Sequence, residues 1–272
     1  INEPRTDDMA GIDAPVERAG LWVARGRQPV EPAASLVGRT EKIRGLQRAM
    51  VKSMSAAALI PQLGLGEEVS MDALWALRQE VKPVVEASGV RLTYLPFFIK
   101  AVSLALADFP LLNASVDDAC ENITYHDTHN ISVAMDTSHG LVVPNVKHVE
   151  RLSIIGVARE LGRLATEAAQ SPPRFSQEDL SGGTFALSNI GSIGGTYTSP
   201  VVMPPQIAIG ALGRIRKAVV PRPDVDGSFD AVGYDVGRVL HVSWSADHRV
   251  VDGATMANFS NAWKRYVESP SL

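Results

Sequence analysis

Val239-Leu240-His241-Val242-Ser243-Trp244-Ser245 runs through Ala246 into Asp247-His248-Arg249-Val250-Val251-Asp252-Gly253, near the end of a 272-residue chain. The first run is apolar and alternating, the pattern of a strand. A helix-like stretch follows from about Ala254 to Val267. A histidine therefore sits on the turn between a strand and a helix, flanked by carboxylates and closed by glycine. Such a turn can present an imidazole as a general base near neutral pH. The residues alone leave two readings open. In one, His248 fills a strand-end turn, Asp252 caps the helix and Gly253 supplies backbone freedom. In the other, Asp252 supplies a carboxylate that holds the imidazole, Arg249 neutralises Asp247 or Asp252, and a second site receives an oxyanion.

Upstream, the patterns predict a helix over 41–55, with Ile43, Leu46, Met50 and Met54 at helical spacing. They predict a strand over 58–65 and a helix over 70–87, entered at Ser70-Met71-Asp72 and carrying Pro83. A buried helix is expected over 93–108. Two strands, 130–135 and 140–146, join around Asp136-Thr137-Ser138-His139-Gly140 as a hairpin. An amphipathic helix over 149–170 and strands over 182–188 and 206–212 complete the set. Helices and strands interleave without a regular βαβ rhythm, so the expected fold class is α/β with a mixed sheet and packed helices. Residues 1–38 carry Pro4, Pro15, Pro29 and Pro32 with no sustained periodicity. They read as a linker or an ordered N-terminal arm, leaving one domain over 39–272.

Composition narrows the class. The chain is 45% hydrophobic and 21% charged, enough for a substantial core, and its formal net charge is −4. No basic excess points to nucleic acid or an anionic membrane, and no apolar run is long enough to span a bilayer. The single cysteine, Cys120, excludes an intrachain disulfide framework and fits a reducing compartment. Its acidic neighbours disfavour a thiolate, so it is read as an inert thiol. The first residues, Ile1-Asn2-Glu3-Pro4, show no signal-peptide pattern and no initiator methionine, which suggests a processed or cut chain.

Two further groupings carry polar chemistry. His126 and His129 bracket Asp127 without a third ligand nearby, so no metal site is expected. Ser181 to Thr196 begins as a strand with hydroxyls at its end and becomes glycine-rich. It has no Gly-Lys-Ser/Thr ending, no G-x-G-x-x-G and no nucleophile elbow, which argues against a nucleotide loop or a serine hydrolase. A hydroxyl at a strand end, Ser188, is well placed either to serve local backbone or to donate to an oxyanion.

Asp247 to Gly253 also matches the active-site signature of the acyltransferase (E2) components of 2-oxo acid dehydrogenase complexes. The match extends from Glu41 to about Ser269 through Ala49–Met54, Leu95–Phe98, Leu112–Val116, Ala134–Thr137, Gly140–Lys147, Leu187–Thr196, Met203–Pro205, Ala208–Gly213 and Val242–His248. The chain is thus similar to E2 catalytic domains, the branched-chain type in particular. The resemblance implies a chloramphenicol-acetyltransferase-like mixed sheet flanked by helices. It implies trimers that assemble into a larger cubic core, with each active site between two subunits. It implies direct acyl transfer between the thiols of coenzyme A and a dihydrolipoyl group. His248 would act as base, Ser188 of the neighbouring subunit would donate to the oxyanion, and Asp252 would support the local geometry. Coenzyme A contacts would map to Arg78, Thr93, Asp136, Ser188, Asn189 and Gly213. The lipoyl group, and the binding of E1 and E3 partners, would belong to domains outside this chain, which has no Asp-Lys-Ala tripeptide. The branched-chain resemblance suggests the mitochondrial matrix, with the bacterial cytoplasm as alternative.

The chain departs from that pattern in places. Arg214 stands where a small hydroxyl residue is expected after Ala-Leu-Gly, and Ala165 where a glutamine is expected. Gln62 replaces a histidine after Ile60-Pro61, the segment 219–232 reads as a longer exposed hairpin, and the end at Leu272 comes slightly early. The alternatives are an acetyl- or succinyl-specific E2 and a catalytically idle E2-like scaffold. The intact His248, Asp252 and Ser188 argue against the scaffold.

Overall fold

The computed structural model describes residue 38 and residues 40–222 and 233–272. The expected linker over 1–38, apart from residue 38, and the tip of the 219–232 hairpin lie outside the described residues. In chain order the elements are α1 (Gly45–Ala57), β1 (Gln62–Ser70), α2 (Asp72–Ala87), α3 (Leu95–Asp108), β2 (Ala114–Val116), β3 (Ile123–Tyr125), β4 (Ile131–Val133), β5 (Met135–Thr137), β6 (Gly140–Val142), β7 (Asn145–Val146), α4 (Ile154–Ala168), α5 (Gln177–Leu180), β8 (Phe185–Asn189), β9 (Ala208–Leu212), β10 (Arg216–Arg222), β11 (Gly233–Asp247) and α6 (Gly253–Glu268).

One sheet organises them, in the order β1-β11-β9-β8-β4-β7, with β10 pairing the first half of β11. The pairs β8–β9 and β4–β8 are parallel and the others antiparallel, so the sheet is mixed as expected. β11 spans 15 residues, and Val242 to Asp247 are all buried. Its alternation turns Trp244 toward α6, where the indole packs edge-on against Phe259 at 5.1 Å and Trp263 at 5.2 Å. The indole N–H donates to Ser260 Oγ at 3.0 Å, so the ring is buried without an orphaned donor. On β9, Trp244 pairs with Gly210, and a Cβ at Gly210 would stand 2.3 Å from the indole. Only glycine leaves room for the ring there.

Several boundaries differ from the sequence reading. The strand expected over 58–65 begins only at Gln62, because α1 runs to Ala57 and Leu59 is exposed. Pairing with Val239 to Asp247, rather than hydropathy, carries β1 on through polar Glu67 to Ser70. Ser70 lies in β1 and does not cap α2, while Asp72 accepts from Arg238, backbone N–H and guanidinium alike. Pro83 does not end α2; it is exposed, and the carbonyl it deprives of a donor, Gln79, lies on an exposed residue. The 130–146 hairpin is real, with Thr137 paired to Gly140, but each arm breaks in two. The helix expected over 149–170 divides into a short 3₁₀ turn, Val149–Arg151, and α4.

The joint between α4 and α5 is electrostatic. Arg163 donates to Asp179 at 2.5 Å, while Ser176 and Asp179 form a capping box at the start of α5. The Arg163 guanidinium is the main cause that lowers the Asp179 carboxyl to about 2. The group is charged in the fold at pH values where the unfolded chain would protonate it. Its contribution is therefore present above about pH 4 and is lost as pH falls toward about 2.

Two outcomes follow for stability. Asp179→Asn should cost about 2 kcal/mol and lower the Tm at neutral pH by roughly 4–8 °C, with a smaller loss relative to wild type near pH 3. Thermal melts across pH 3–7 check this, and an unchanged neutral Tm would refute it. Gly210→Ala should be costlier, about 3 kcal/mol or more, because the indole has no clear space to yield into; a soluble variant with wild-type Tm would contradict the packing.

Candidate active site

β11 ends at Asp247, and the chain reverses into α6 within five residues. Main-chain bonds close the reversal: Asp247 N–H donates to Ile207 O, His248 N–H to Pro61 O, and Val251 N–H to Asp247 O, each at 2.9 Å. Asp252 then caps α6, its Oδ1 accepting Thr255 N–H at 2.7 Å. That N–H is the first cause holding the Asp252 carboxyl below its usual range. Of the two carboxylates, Asp247 takes Arg249. The buried carboxylate accepts from Nε at 3.0 Å, from Nη2 at 2.6 Å and from the Arg249 N–H at 3.0 Å.

The imidazole is held by neither carboxylate. His248 is exposed, and its Nδ1 lies 3.0 Å from the Val251 carbonyl oxygen. A carbonyl can only accept, so Nδ1 carries the proton and donates, and neutral His248 keeps its lone pair on Nε2. Among the described residues Nε2 makes no hydrogen bond. This is the tautomer and exposure that a general base requires. The orienting group is main chain, and residue types do not spell it out. The only sequence trace is the three-residue step from His248 to Val251, within a turn ended by an N-cap residue.

Ser188 lies far from this turn in the same chain. It pairs with Ala211, which pairs with Ser243, and His248 is five residues further along the chain, just past the end of β11. At about 3.4 Å per residue the two side chains sit on rows roughly 17 Å apart along the sheet.

Asn189, Gly213 and Asp136 share the Ser188 end. Asn189 pairs with Leu212, and Gly213 N–H donates to His241 O at 2.8 Å. Asp136 follows β4, whose Val133 pairs with Leu187, so it emerges at the same rim. Arg78 Nε donates to Leu92 O at 3.0 Å beside Thr93, and its guanidinium carbon is 4.7 Å from the Tyr94 ring centre. Burial raises the Tyr94 phenol, opposed by the charges of Arg78 and of Arg238 on the near half of β11. The glycine-rich segment serves close backbone packing. A Cβ at Gly191 would stand 2.0 Å from Gly213 O, and one at Gly213 2.1 Å from Thr196 O. Ala165 is buried on α4 and offers no polar group, and Gln62 Oε1 accepts Val202 N–H at 3.0 Å.

His126 and His129 do not converge. His126 Nε2 is 3.2 Å from Ser115 Oγ, and His129 Nδ1 is 2.8 Å from Ser103 Oγ. Burial holds the His129 imidazole below its usual range. Among the described residues no three of His, Cys, Asp and Glu gather as a metal site would need. Cys120 is a free thiol on a turn with φ 58°.

Comparison with known proteins adds the family. A model of the 2-oxoacid dehydrogenases acyltransferase catalytic domain matches residues 37–272. The chain is 53% identical over 234 residues to the mitochondrial lipoamide acyltransferase component of the mouse branched-chain α-keto acid dehydrogenase complex, covering 86% of this chain and 47% of that protein. It thus spans about half the length of the curated relatives it matches. It superposes on an Azotobacter vinelandii dihydrolipoamide acetyltransferase with TM-score 0.75 and 27% identity, covering 90% and 98% of the two chains. That work concerns the catalytic roles of a serine, a histidine and an asparagine four positions after the histidine. The same values hold for the cubic core of a pyruvate dehydrogenase complex. A chloramphenicol acetyltransferase shares the fold at TM-score 0.51 and 16% identity, which bears out the expected architecture.

The tautomer is directly testable. With ¹⁵N-histidine, the signals absent from His248→Gln should, above pH 8, show a protonated Nδ1 and an unprotonated Nε2. The opposite pattern would show that Val251 O does not hold the ring.

Proposed function

The chain belongs to the 2-oxoacid dehydrogenase acyltransferase family, and from that premise we propose that it moves a branched-chain acyl group between a dihydrolipoyl thiol and coenzyme A. The observation that carries this reading is the exposed imidazole whose Nδ1–H is committed to Val251 O, leaving Nε2 to accept a proton. His248 Nε2 takes the proton of the attacking thiol. A thiol titrates only somewhat above neutrality, so one imidazole suffices and no acyl-enzyme is needed. The thiolate attacks the thioester carbonyl, and the oxyanion accepts a hydrogen bond from Ser188 Oγ of the neighbouring subunit. Collapse of the tetrahedral adduct expels the second thiolate, which recovers the proton from His248.

The register supports a site built from two chains. One chain carries His248 and Asp252 at one rim and Ser188 with Asn189, Gly213 and Asp136 at the other, and we assign Arg78 and Thr93 to the coenzyme A side with them. Two unlike rims that complete one site make a head-to-tail contact, and such contacts close into rings. We assign a homotrimer built into a cubic core, a state supported by the likeness to a cubic E2 core. The spacing from His248 to Asp252 equals that from histidine to asparagine in the Azotobacter protein, and Asp252 acts by capping α6 and so fixing the turn. Relatives named as mitochondrial favour the matrix. E1 and E3 components of the complex are the expected partners of the whole protein.

Transfer to dihydrolipoamide from isobutyryl-, isovaleryl-, acetyl- and succinyl-coenzyme A tests the substrate. Branched donors should be preferred, His248→Ala should lose about 10³-fold or more, and Ser188→Ala about 10²-fold. A preference for acetyl or succinyl would overturn the substrate, and no transfer by an assembled protein would overturn the function. Co-assembly of the two variants tests the shared site. With equal, random mixing, about a quarter of the sites regain both groups; a mixture no more active than the variants alone would place the site within one chain.

A further inference from the structure

Arg214 stands directly after Gly213, at the rim assigned above to coenzyme A. Its N–H donates to Gly195 O at 2.9 Å, fastening it to the glycine-rich turn. A Cβ at Gly194 would lie 3.4 Å from Arg214 Nη2, so the guanidinium extends along the Gly194 backbone. Arg214 is exposed, and it follows by two residues Leu212, the strand partner of Asn189. Strand geometry places the Arg214 and Asn189 backbones within about 8 Å, inside the reach of an arginine side chain.

Its charge is also distinct in this neighbourhood. Arg216 donates to Glu68 and Arg238 to Asp72, each at 2.9 Å, so those two cations are balanced. Arg214 has no carboxylate partner among the described residues. The chain as a whole is acidic, at −4, and repels a polyanion in bulk, so binding one calls for local cations. A guanidinium presents a planar fork of N–H donors that matches two phosphate oxygens. We propose that Arg214 is a phosphate-binding residue for coenzyme A, an assignment that rests on the acyltransferase reading above. The arginine here replaces the small hydroxyl residue expected at this place. It exchanges a neutral hydrogen bond for a charged, two-pronged one.

Calorimetric titration of the assembled protein with coenzyme A and with dephospho-coenzyme A tests this. Arg214→Ala should weaken coenzyme A binding about tenfold at low salt, and the difference should shrink as salt is added. Arg214→Lys should recover part of the loss, keeping the charge without the fork. Arg151→Ala, an equal change of charge beside the start of β4 at the other end of the sheet, should leave the affinity unchanged. Loss confined to coenzyme A places the contact on the 3′-phosphate; loss shared with dephospho-coenzyme A places it on the diphosphate. Equal affinities for wild type and Arg214→Ala would overturn the inference. Wild-type protein that binds no coenzyme A would overturn the acyltransferase reading with it. Normal binding without acyl transfer would sink that reading alone.

Discussion

Everything at the His248 rim depends on how Trp244 is buried. The indole lies across Gly210, touches Phe185, Phe259 and Trp263, and hands its N–H to Ser260. A buried tryptophan is worth several kcal/mol of apolar transfer, and here that burial ties β11 and α6 into one unit. The turn between them has little freedom left. Asp247 N–H, His248 N–H and Val251 N–H each have a fixed acceptor, and Asp252 fixes the first turn of the helix. The imidazole is placed by this frame rather than by any partner side chain.

The choice of a carbonyl to hold Nδ1 has a chemical consequence. A carboxylate in that place would favour the imidazolium and make Nε2 slower to give its proton back. A neutral carbonyl sets the tautomer without placing a second charge beside the ring. Both carboxylates of the turn are engaged elsewhere, Asp247 with Arg249 and Asp252 with Thr255 N–H. The local charges thus build the turn and leave the imidazole to a dipole.

The long strand sets the two candidate groups, His248 and Ser188, apart. The turn after its C-terminal end carries His248, while β9 and β8, stacked across Val242 to Ala246, carry Ser188 and Asn189 toward the other rim, with Gly213 next. A single chain keeps the two groups on different rows of the sheet. The near rim also concentrates arginines in an otherwise acidic chain, two of them neutralised by Glu68 and Asp72.

Much of this was readable before the fold. The alternation of Val239 to Ser245 marks the central strand, and the Asp252-Gly253 pair marks the start of α6, because each is a local pattern of side-chain size and capping chemistry. The mixed sheet, the 130–146 hairpin and the His248 turn follow from such patterns. Where strands end did not, as β1 shows: its polar half is a strand only because β11 lies beside it. Nor could residue types reveal that Val251 O orients the imidazole, since every residue has a carbonyl. The sequence by itself determined which side chains are available and on which local turns they sit. Only the tertiary structure decided which of them face each other, that Ser188 and His248 lie on different rims and that Arg214 meets no carboxylate among the described residues, because register and crossover depend on contacts between residues distant in the chain.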